Sequence, residues 1–306
     1  MTAIDVQGLT KTYGETVAND DLSFAVEDGE IFGFLGPNGA GKTTCIRMLM
    51  GFQSPTDGTA TVLGADVRDA EALREARADV GYLPAHPSFD GDVTGGAFLD
   101  FQADLKGDAR RAELLELFDP PLDRKIREYS TGNAQMLAIV QAFMHDPDLV
   151  VMDEPTSGLD PLKQERFNEF VREERDRGLT VFFSSHVLAE VRRICDRVGI
   201  IRDGHLVALE DVADLLGRGG KRVRVQTAER VDPQDFAFEG VLDLSLHGDS
   251  AHFTFAGDYD DLVDHLDDLT VVDLTVDEPP LEDVFMHFYG DSASSTIDTE
   301  SEERRV

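Results

Sequence analysis

Two stretches of the chain gather residues that could handle phosphate and metal. The first is GPNGAGKTT, Gly36 to Thr44. It fits G-x-x-x-x-G-K-[ST], with Gly36, Gly41, Lys42 and Thr43 at the fixed positions and Pro37, Asn38, Gly39 and Ala40 between them. Glycines let backbone N–H groups turn inward around phosphate oxygens, and a helix starting there points its positive end at them. Lys42 would add charge at the β- and γ-phosphates, and Thr43, followed by Thr44, would offer a hydroxyl to Mg²⁺. The second stretch is LVVMDEPTSGLD, Leu149 to Asp160, where an apolar run ends in two adjacent carboxylates. Beside a triphosphate, Asp153 reads as a Mg²⁺ ligand acting through water, because magnesium keeps several waters and takes one or two carboxylates. Glu154 is then free to polarise a water for attack on the γ-phosphate. Hydrolysis needs only an acid beside a water. Transfer to another substrate would need an acceptor pocket, and no second substrate motif is present. No guanine-reading N-K-x-D occurs. The chemistry implied is ATP hydrolysis with Mg²⁺.

These residues must be held by rigid elements. IFGFL (Ile31 to Leu35) is a continuous apolar run, as in a strand buried on both faces, and it feeds the glycine loop. A helix through KTTCIRMLMG follows and closes at Gly51. IDVQGL, LSFAVEDG, TATVLG, DVGYLP, LVVM and TVFFSS read as further strands. Residues 86–145 read as mostly helical, a helix is expected from Pro161 to about Arg177, and another over VLAEVRRICD. VGIIRDGHLVAL reads as two strands joined by an Asp-Gly turn. Buried strands alternating with helices point to a parallel α/β sheet. GRGGK (Gly217 to Lys221) reads as a linker. Beyond it, KRVRVQT, VLDLSLHG, AHFTFAG, the helix DYDDLVDHLDD, the strand LTVVDLTV and a final helix in PLEDVFMHFYG form a small α+β domain over 219–290. Residues 291–306 are polar and are expected to be disordered.

The formal net charge is -33, from 28 Lys and Arg against 61 Asp and Glu. Such a surface repels phosphodiesters at ordinary salt, which argues against a nucleic-acid partner. It suits high salt, where at about 1 M the screening length falls to about 3 Å. The composition resembles that of halophilic archaeal proteins. Cys45 and Cys195 show no CxxC spacing, fall in expected amphipathic helices and read as reduced structural thiols. The N-terminus carries no signal-peptide pattern, and no run of about 18 apolar residues occurs, so any membrane span must come from another chain.

The ordered set of motifs resembles the ATP-binding subunit of ABC transporters over residues 1–217. Tyr13 in KTYG resembles the family's adenine-stacking aromatic, GPNGAGKTT its Walker A loop, and LVVMDEP its Walker B strand. YSTGNAQ (Tyr129 to Gln135) resembles its signature motif, SGLD (Ser157 to Asp160) its D-loop, and SSH, ending at His186, its switch histidine. The resemblance implies a P-loop NTPase core with a mixed sheet, an antiparallel β subdomain and the inserted helical subdomain. It also implies two such domains, as a homodimer or heterodimer, holding two ATP molecules head to tail. Ser130, Gly132 and Asp160 would then act across the seam on the opposite subunit's nucleotide, and His186 would sense the γ-phosphate. It further implies a separate transmembrane permease as partner and a place on the cytoplasmic face of the membrane. Residues 219–290 resemble the accessory domain of drug-exporter-type systems, which implies export. Two departures stand out. The signature has Thr131 and Asn133 where the family carries glycine and glutamine. GYLPAHP puts Ala85, followed by His86, where the family has a glutamine that reaches Mg²⁺. Ala85 cannot ligate a metal, and imidazole is a poor magnesium ligand.

Overall fold

Buried apolar residues, Ile4, Val6 and Leu9 against Leu22, Phe24 and Val26, pair the first two strands, β1 (Thr2–Tyr13) and β2 (Thr16–Glu27), into an antiparallel ribbon interrupted by register shifts. The computed structural model describes residues 1–218, 220–267 and 269–277. It divides into two compact units, Met1–Glu210 and a second that begins at Asp211.

In the first unit the β1–β2 ribbon extends through β4 (Asp57–Val62) to the short β5 (Ala65–Asp66), in the order β2-β1-β4-β5. The second layer is a separate six-stranded sheet. Its strands are β3 (Ile31–Leu35), β6 (Val80–Leu83), β7 (Leu149–Asp153), β8 (Thr180–Ser185), β9 (Arg197–Arg202) and β10 (His205–Asp211), in the order β10-β9-β3-β8-β7-β6. The β9-β3-β8-β7-β6 run is parallel. Every residue of β3, β7 and β8 is buried, which is why these strands read as unbroken apolar runs. Register decides the position of the site. Leu35 pairs with Ser185 and Asp153 with Ser184, so β3, β7 and β8 all end at one edge of the sheet. Ligands of open α/β sheets bind at that carboxyl edge.

Helix α1 (Lys42–Leu49) buries Cys45, Ile46, Met48 and Leu49 in a core that also takes side chains from both sheets. The centre of that core is aromatic: Phe24, Phe32, Phe34 and Phe182 lie with ring centroids 5.5 to 6.0 Å apart. A short α2 (Ala70–Ala76), N-capped by Asp69, precedes β6. Between β6 and β7 the chain forms α3 (Gly95–Lys106), α4 (Arg111–Phe118) and α5 (Thr131–Phe143). Then α6 (Pro161–Asp176) links β7 to β8, and α7 (Leu188–Ile194) links β8 to β9. Phe170 of α6 receives Phe118 and Phe143 edge-on, seating the inserted helices on the sheet layer.

The second unit opens with α8 (Val212–Arg218) and carries β11 (Lys221–Thr227), β12 (Val241–His247), β13 (Ser250–Phe255), α9 (Tyr259–Asp267) and β14 (Val271–Asp277). The strands form an antiparallel sheet in the order β12-β13-β11-β14, over which Leu262 and Leu266 of α9 meet Val223, Val225, Phe236, Phe253 and Phe255.

Two local expectations need correction. The stretch read as a linker is mostly structured: Gly217 and Arg218 close α8 and Lys221 opens β11. Val212 and Leu215, three apart and both buried, give α8 an apolar stripe that the glycines beyond it masked. Cys195 lies one residue past α7 in extended conformation, not within the helix. Both cysteines are free and buried, and burial pushes the Cys45 thiol up to about 12. The helix expected in PLEDVFMHFYG and the tail from 291 lie outside the described residues. Among the described residues no helix is long and apolar enough to cross a membrane.

Phe182 stands on β8 one strand from the acids and contacts three other rings, so Phe182→Ala should destabilise the first unit by about 3–5 kcal/mol. Guanidinium unfolding followed at high salt would show the loss as a lowered midpoint of the main transition.

Candidate nucleotide site

The loop Gly36–Gly41 leaves the end of β3 and turns sharply into α1. Gly41 holds φ 108°, and a Cβ there would come within 2.4 Å of the Ala18 carbonyl oxygen and 2.5 Å of Asn19 Nδ2. Gly36 is as tightly placed, with the Ile201 carbonyl oxygen 2.3 Å from where its Cβ would be. Only glycine fits at either position. Gly39, also at positive φ (84°), has open space on its side, so its conformation and not crowding selects glycine. Asn19, fully buried on β2, donates from Nδ2 to the Gly41 carbonyl at 3.2 Å, and Gly204 N donates to the Ala40 carbonyl at 3.1 Å. The loop is therefore braced from behind by β2 and by the β9–β10 turn.

Lys42 is almost wholly buried and curls back over the loop. Its Nζ donates to the Gly36 carbonyl at 2.6 Å and the Pro37 carbonyl at 3.1 Å, and lies 3.4 Å from Glu154 Oε1. Thr43, the next residue, donates from Oγ1 to Asp153 Oδ2 at 2.8 Å, and Ser184 Oγ donates to Asp153 Oδ1. Asp153 ends β7 with 2% of its surface exposed, so those two hydroxyls carry the burden of solvating its charge. Burial, and after it the charge of Asp153, raises the pKa of the nearby Tyr82 phenol.

Glu154 turns away from the strand. Its φ is +50°, a left-handed conformation rare for a side-chain-bearing residue, and its N–H is held by the Ser184 carbonyl at 3.1 Å. The turn swings its carboxylate out of the sheet. Oε2 meets His186 Nδ1 at 2.7 Å, while Oε1 is buried with no hydrogen-bond partner and only the Lys42 ion pair near it. That oxygen is a vacant acceptor beside a cation, suited to receive the proton of a water. Lys42, Thr43, Thr44, Asp153 and Glu154 line one cleft of about 430 Å³ with Pro37, Asn38, Gly39, Gly41, Ala18, Arg47, Tyr82, Pro84, Ala85 and His86. His86 is exposed on its rim. The donor set fits a hard divalent cation: a hydroxyl and a carboxylate 2.8 Å apart, all oxygen, with room for water and phosphate to complete the shell. Among the described residues no cluster of three or more His, Cys, Asp or Glu could hold a metal by itself, as expected where phosphate oxygens and water supply the rest.

The structure thus brings together the glycine loop, Asp153, Glu154 and His186. It does not bring the remaining expected residues to that cleft. Ser130 caps α5, accepting from Asn133 N at 3.2 Å, and opens onto a neighbouring cavity of about 440 Å³. Asp160 caps α6, accepting from Lys163 N at 3.1 Å. Gly132 abuts the bend before α6, where a Cβ would meet the Gly158 carbonyl oxygen at 3.2 Å. Tyr13 is half-exposed at the end of β1, bonded to Gln53 and beneath Lys11 Nζ, and does not line the cleft. Several residues escaped the sequence reading: Ser184, Asn19, Arg47 and the buried Gln135, whose Nε2 donates to the Pro155 carbonyl at 2.6 Å. Ser184 had a signal, a hydroxyl where the apolar run VFF ends; Asn19 had none.

The fold and this site define a P-loop ATPase. A family model described as "ABC transporter" matches residues 19–157. An ABC transporter ATP-binding protein of Synechocystis is 36% identical over 278 residues, covering 87% of this chain and 76% of that protein. The bacitracin transport ATP-binding protein of Enterococcus faecalis is 35% identical over 71% of this chain and 72% of its own length. The Nod factor export ATP-binding protein I of Mesorhizobium japonicum is 39% identical over 67% of this chain and 62% of its own. A solved structure titled "Structure of ATP binding subunit of ABC transporter" superposes with a TM-score of 0.65 at 29% identity, covering 71% of this chain and 93% of that one. The chain belongs to the ABC transporter family, among its ATP-binding, ATP-hydrolysing subunits.

Because a Cβ at Gly41 would strike backbone and the Asn19 amide at once, Gly41→Ala should abolish nucleotide binding while leaving the sheet intact. Equilibrium binding of a fluorescent ATP analogue, with circular dichroism as the folding control, would check both halves.

Proposed function

We infer that this chain is the motor of an export system: it hydrolyses ATP with Mg²⁺ as a dimer and drives a separate membrane permease. The observation that carries the chemistry is the Glu154 carboxylate, with one oxygen on His186 and the other ion-paired with Lys42 and without a hydrogen-bond partner. Lys42 and the amides of the Gly36–Gly41 loop bind and orient the triphosphate. Thr43 and Asp153 would hold Mg²⁺, which supplies charge neutralisation on the β- and γ-phosphate oxygens. Glu154 takes a proton from the attacking water at Oε1. His186, anchored through Nδ1, keeps that carboxylate aimed and can meet the γ-phosphate from the other side. Ser130 at the α5 N-terminus, with Gly132, supplies an anion-binding edge for the nucleotide of a facing subunit, and Asp160 lies at the seam. Tyr13 stacks on the adenine. The second compact unit, which begins at Asp211, corresponds to the accessory domain expected over 219–290.

Export is supported by the names of the bacitracin and Nod factor relatives, and the need for a permease by the absence of any membrane-length helix among the described residues. Glu154→Gln should cut turnover by at least about 100-fold while ATP still binds, since the amide keeps the shape and loses the base. A steady-state assay beside the binding titration reads this, and co-purification of the same variant with a polytopic membrane protein tests the partner. Unchanged turnover would sink the reading.

The surface charge supports a second, independent inference about conditions: the protein works at molar salt, as a halophile's would. Lowering salt from molar to millimolar should lower the thermal midpoint steeply, because a net charge of -33 is then unscreened. A flat midpoint across that range would remove the inference.

A further inference from the structure

Two residues downstream of Glu154 and one upstream of His186, a second bridge crosses between the same two strand ends. Thr156 Oγ1 donates to Glu190 Oε1, and Ser185 Oγ donates to Glu190 Oε2 at 2.7 Å. Thr156 is 5% and Ser185 0% exposed, so both hydroxyls are cut off from water, and Glu190 is the shorter acceptor for Ser185 Oγ, whose other acceptor is the Val187 carbonyl at 3.4 Å. Glu190 is part-buried in the first turn of α7, where the helix N-terminus favours its negative charge. Hydroxyl-to-carboxylate bonds are among the stronger neutral-to-charged contacts.

What the bridge fixes on each side is the functional part. Ser185 Oγ also accepts from Val187 N at 2.9 Å, which closes a loop around the His186 backbone. Thr156 begins the segment leading to Asp160, and its carbonyl accepts from Leu159 N at 3.1 Å and from Gln164 Nε2 at 3.3 Å. One carboxylate thus ties the backbone that carries His186 to the backbone that carries Glu154 on one side and the Ser157–Asp160 turn on the other. His186 is itself half-exposed, and among the described residues its ring bonds to Glu154. The second bridge supplies the rest.

We propose that Glu190 is a positioning residue for ATP hydrolysis: it clamps Thr156 to Ser185 and so holds His186 in register with Glu154 and with the turn that ends at Asp160. The proposal rests on the reading that Glu154 and His186 turn over ATP. It assigns Glu190 no contact with nucleotide, so its effect falls on kcat and spares ATP binding.

The test is steady-state ATPase of the full chain as the Glu190→Ala variant, alone and combined with His186→Ala. Glu190→Ala should lower kcat roughly 10- to 100-fold, the scale of a small misplacement of a catalytic group, with KM for ATP changed less than about twofold. Glu190→Gln, which can keep one of the two hydroxyl bonds, should fall between. In the His186→Ala background the further loss from Glu190→Ala should be under about threefold, because the residue it positions is gone. Thr156→Val, nearly isosteric, reads the same clamp from the other side should Glu190→Ala fail to fold, and should reproduce the kcat-selective loss. Unchanged kcat in Glu190→Ala and Thr156→Val, a loss that appears equally in KM, or full multiplicative loss on top of His186→Ala would each overturn the proposal. Wild-type kcat in His186→Ala alone would instead overturn the catalytic reading, and the clamp with it.

Discussion

The Asp153 carboxylate is the constraint around which the first unit is arranged. It lies nearly out of water at the end of a central strand, where an unpaired charge would be prohibitive. Two hydroxyls make it tolerable, and they come from opposite directions: Thr43 from the start of α1 and Ser184 from β8. The acid therefore cross-links the glycine loop, β7 and β8 by satisfying its own charge. Removing any of the three leaves either a buried anion or a buried hydroxyl unmatched. A cation delivered with the nucleotide could take over part of that solvation, so binding of substrate and relief of a buried charge are the same event.

Much of this was legible in the sequence because the relevant signals are local. IFGFL, LVVM and TVFFSS could only be strands buried on both faces, and a parallel sheet puts their carboxyl ends together. That the glycine loop, the acid pair and His186 meet at that edge was implied by the resemblance of the ordered motifs. The partners that hold these residues were not legible. Ser184, Glu190 and Asn19 act across distances in sequence of 31, 34 and 22 residues, and no periodicity records such a pairing. The α8 helix was missed for a different reason: the glycines at 217 and 219–220 outweighed a stripe only two apolar residues long.

Charge works against the site and has to be overcome locally. A chain of net charge -33 repels a triphosphate at long range, yet the cleft presents Lys42, Arg47 and the N-terminus of α1. Screening separates the two scales. At molar salt the long-range field decays within about 3 Å, while contacts made inside a half-closed cleft are screened far less. An acidic surface and an anionic substrate are then compatible, provided the cations that matter are buried. Lys42 is: it is 6% exposed and held by two loop carbonyls.

Ala85 sharpens the same point. The position lines the cleft but brings no donor atom, and the exposed His86 beside it is a poor substitute for an oxygen ligand. The oxygen donors proposed for a metal, Thr43 and Asp153, are already bonded to each other. Ala85 and His86 also line the cavity onto which Ser130 opens. A direct link between the inserted helices and the acids is Gln135 on the Pro155 carbonyl, one residue from Glu154. The α5 helix thus touches the turn after Glu154 through an amide and a backbone carbonyl, and Glu190 bonds Thr156 on the far side of that same turn.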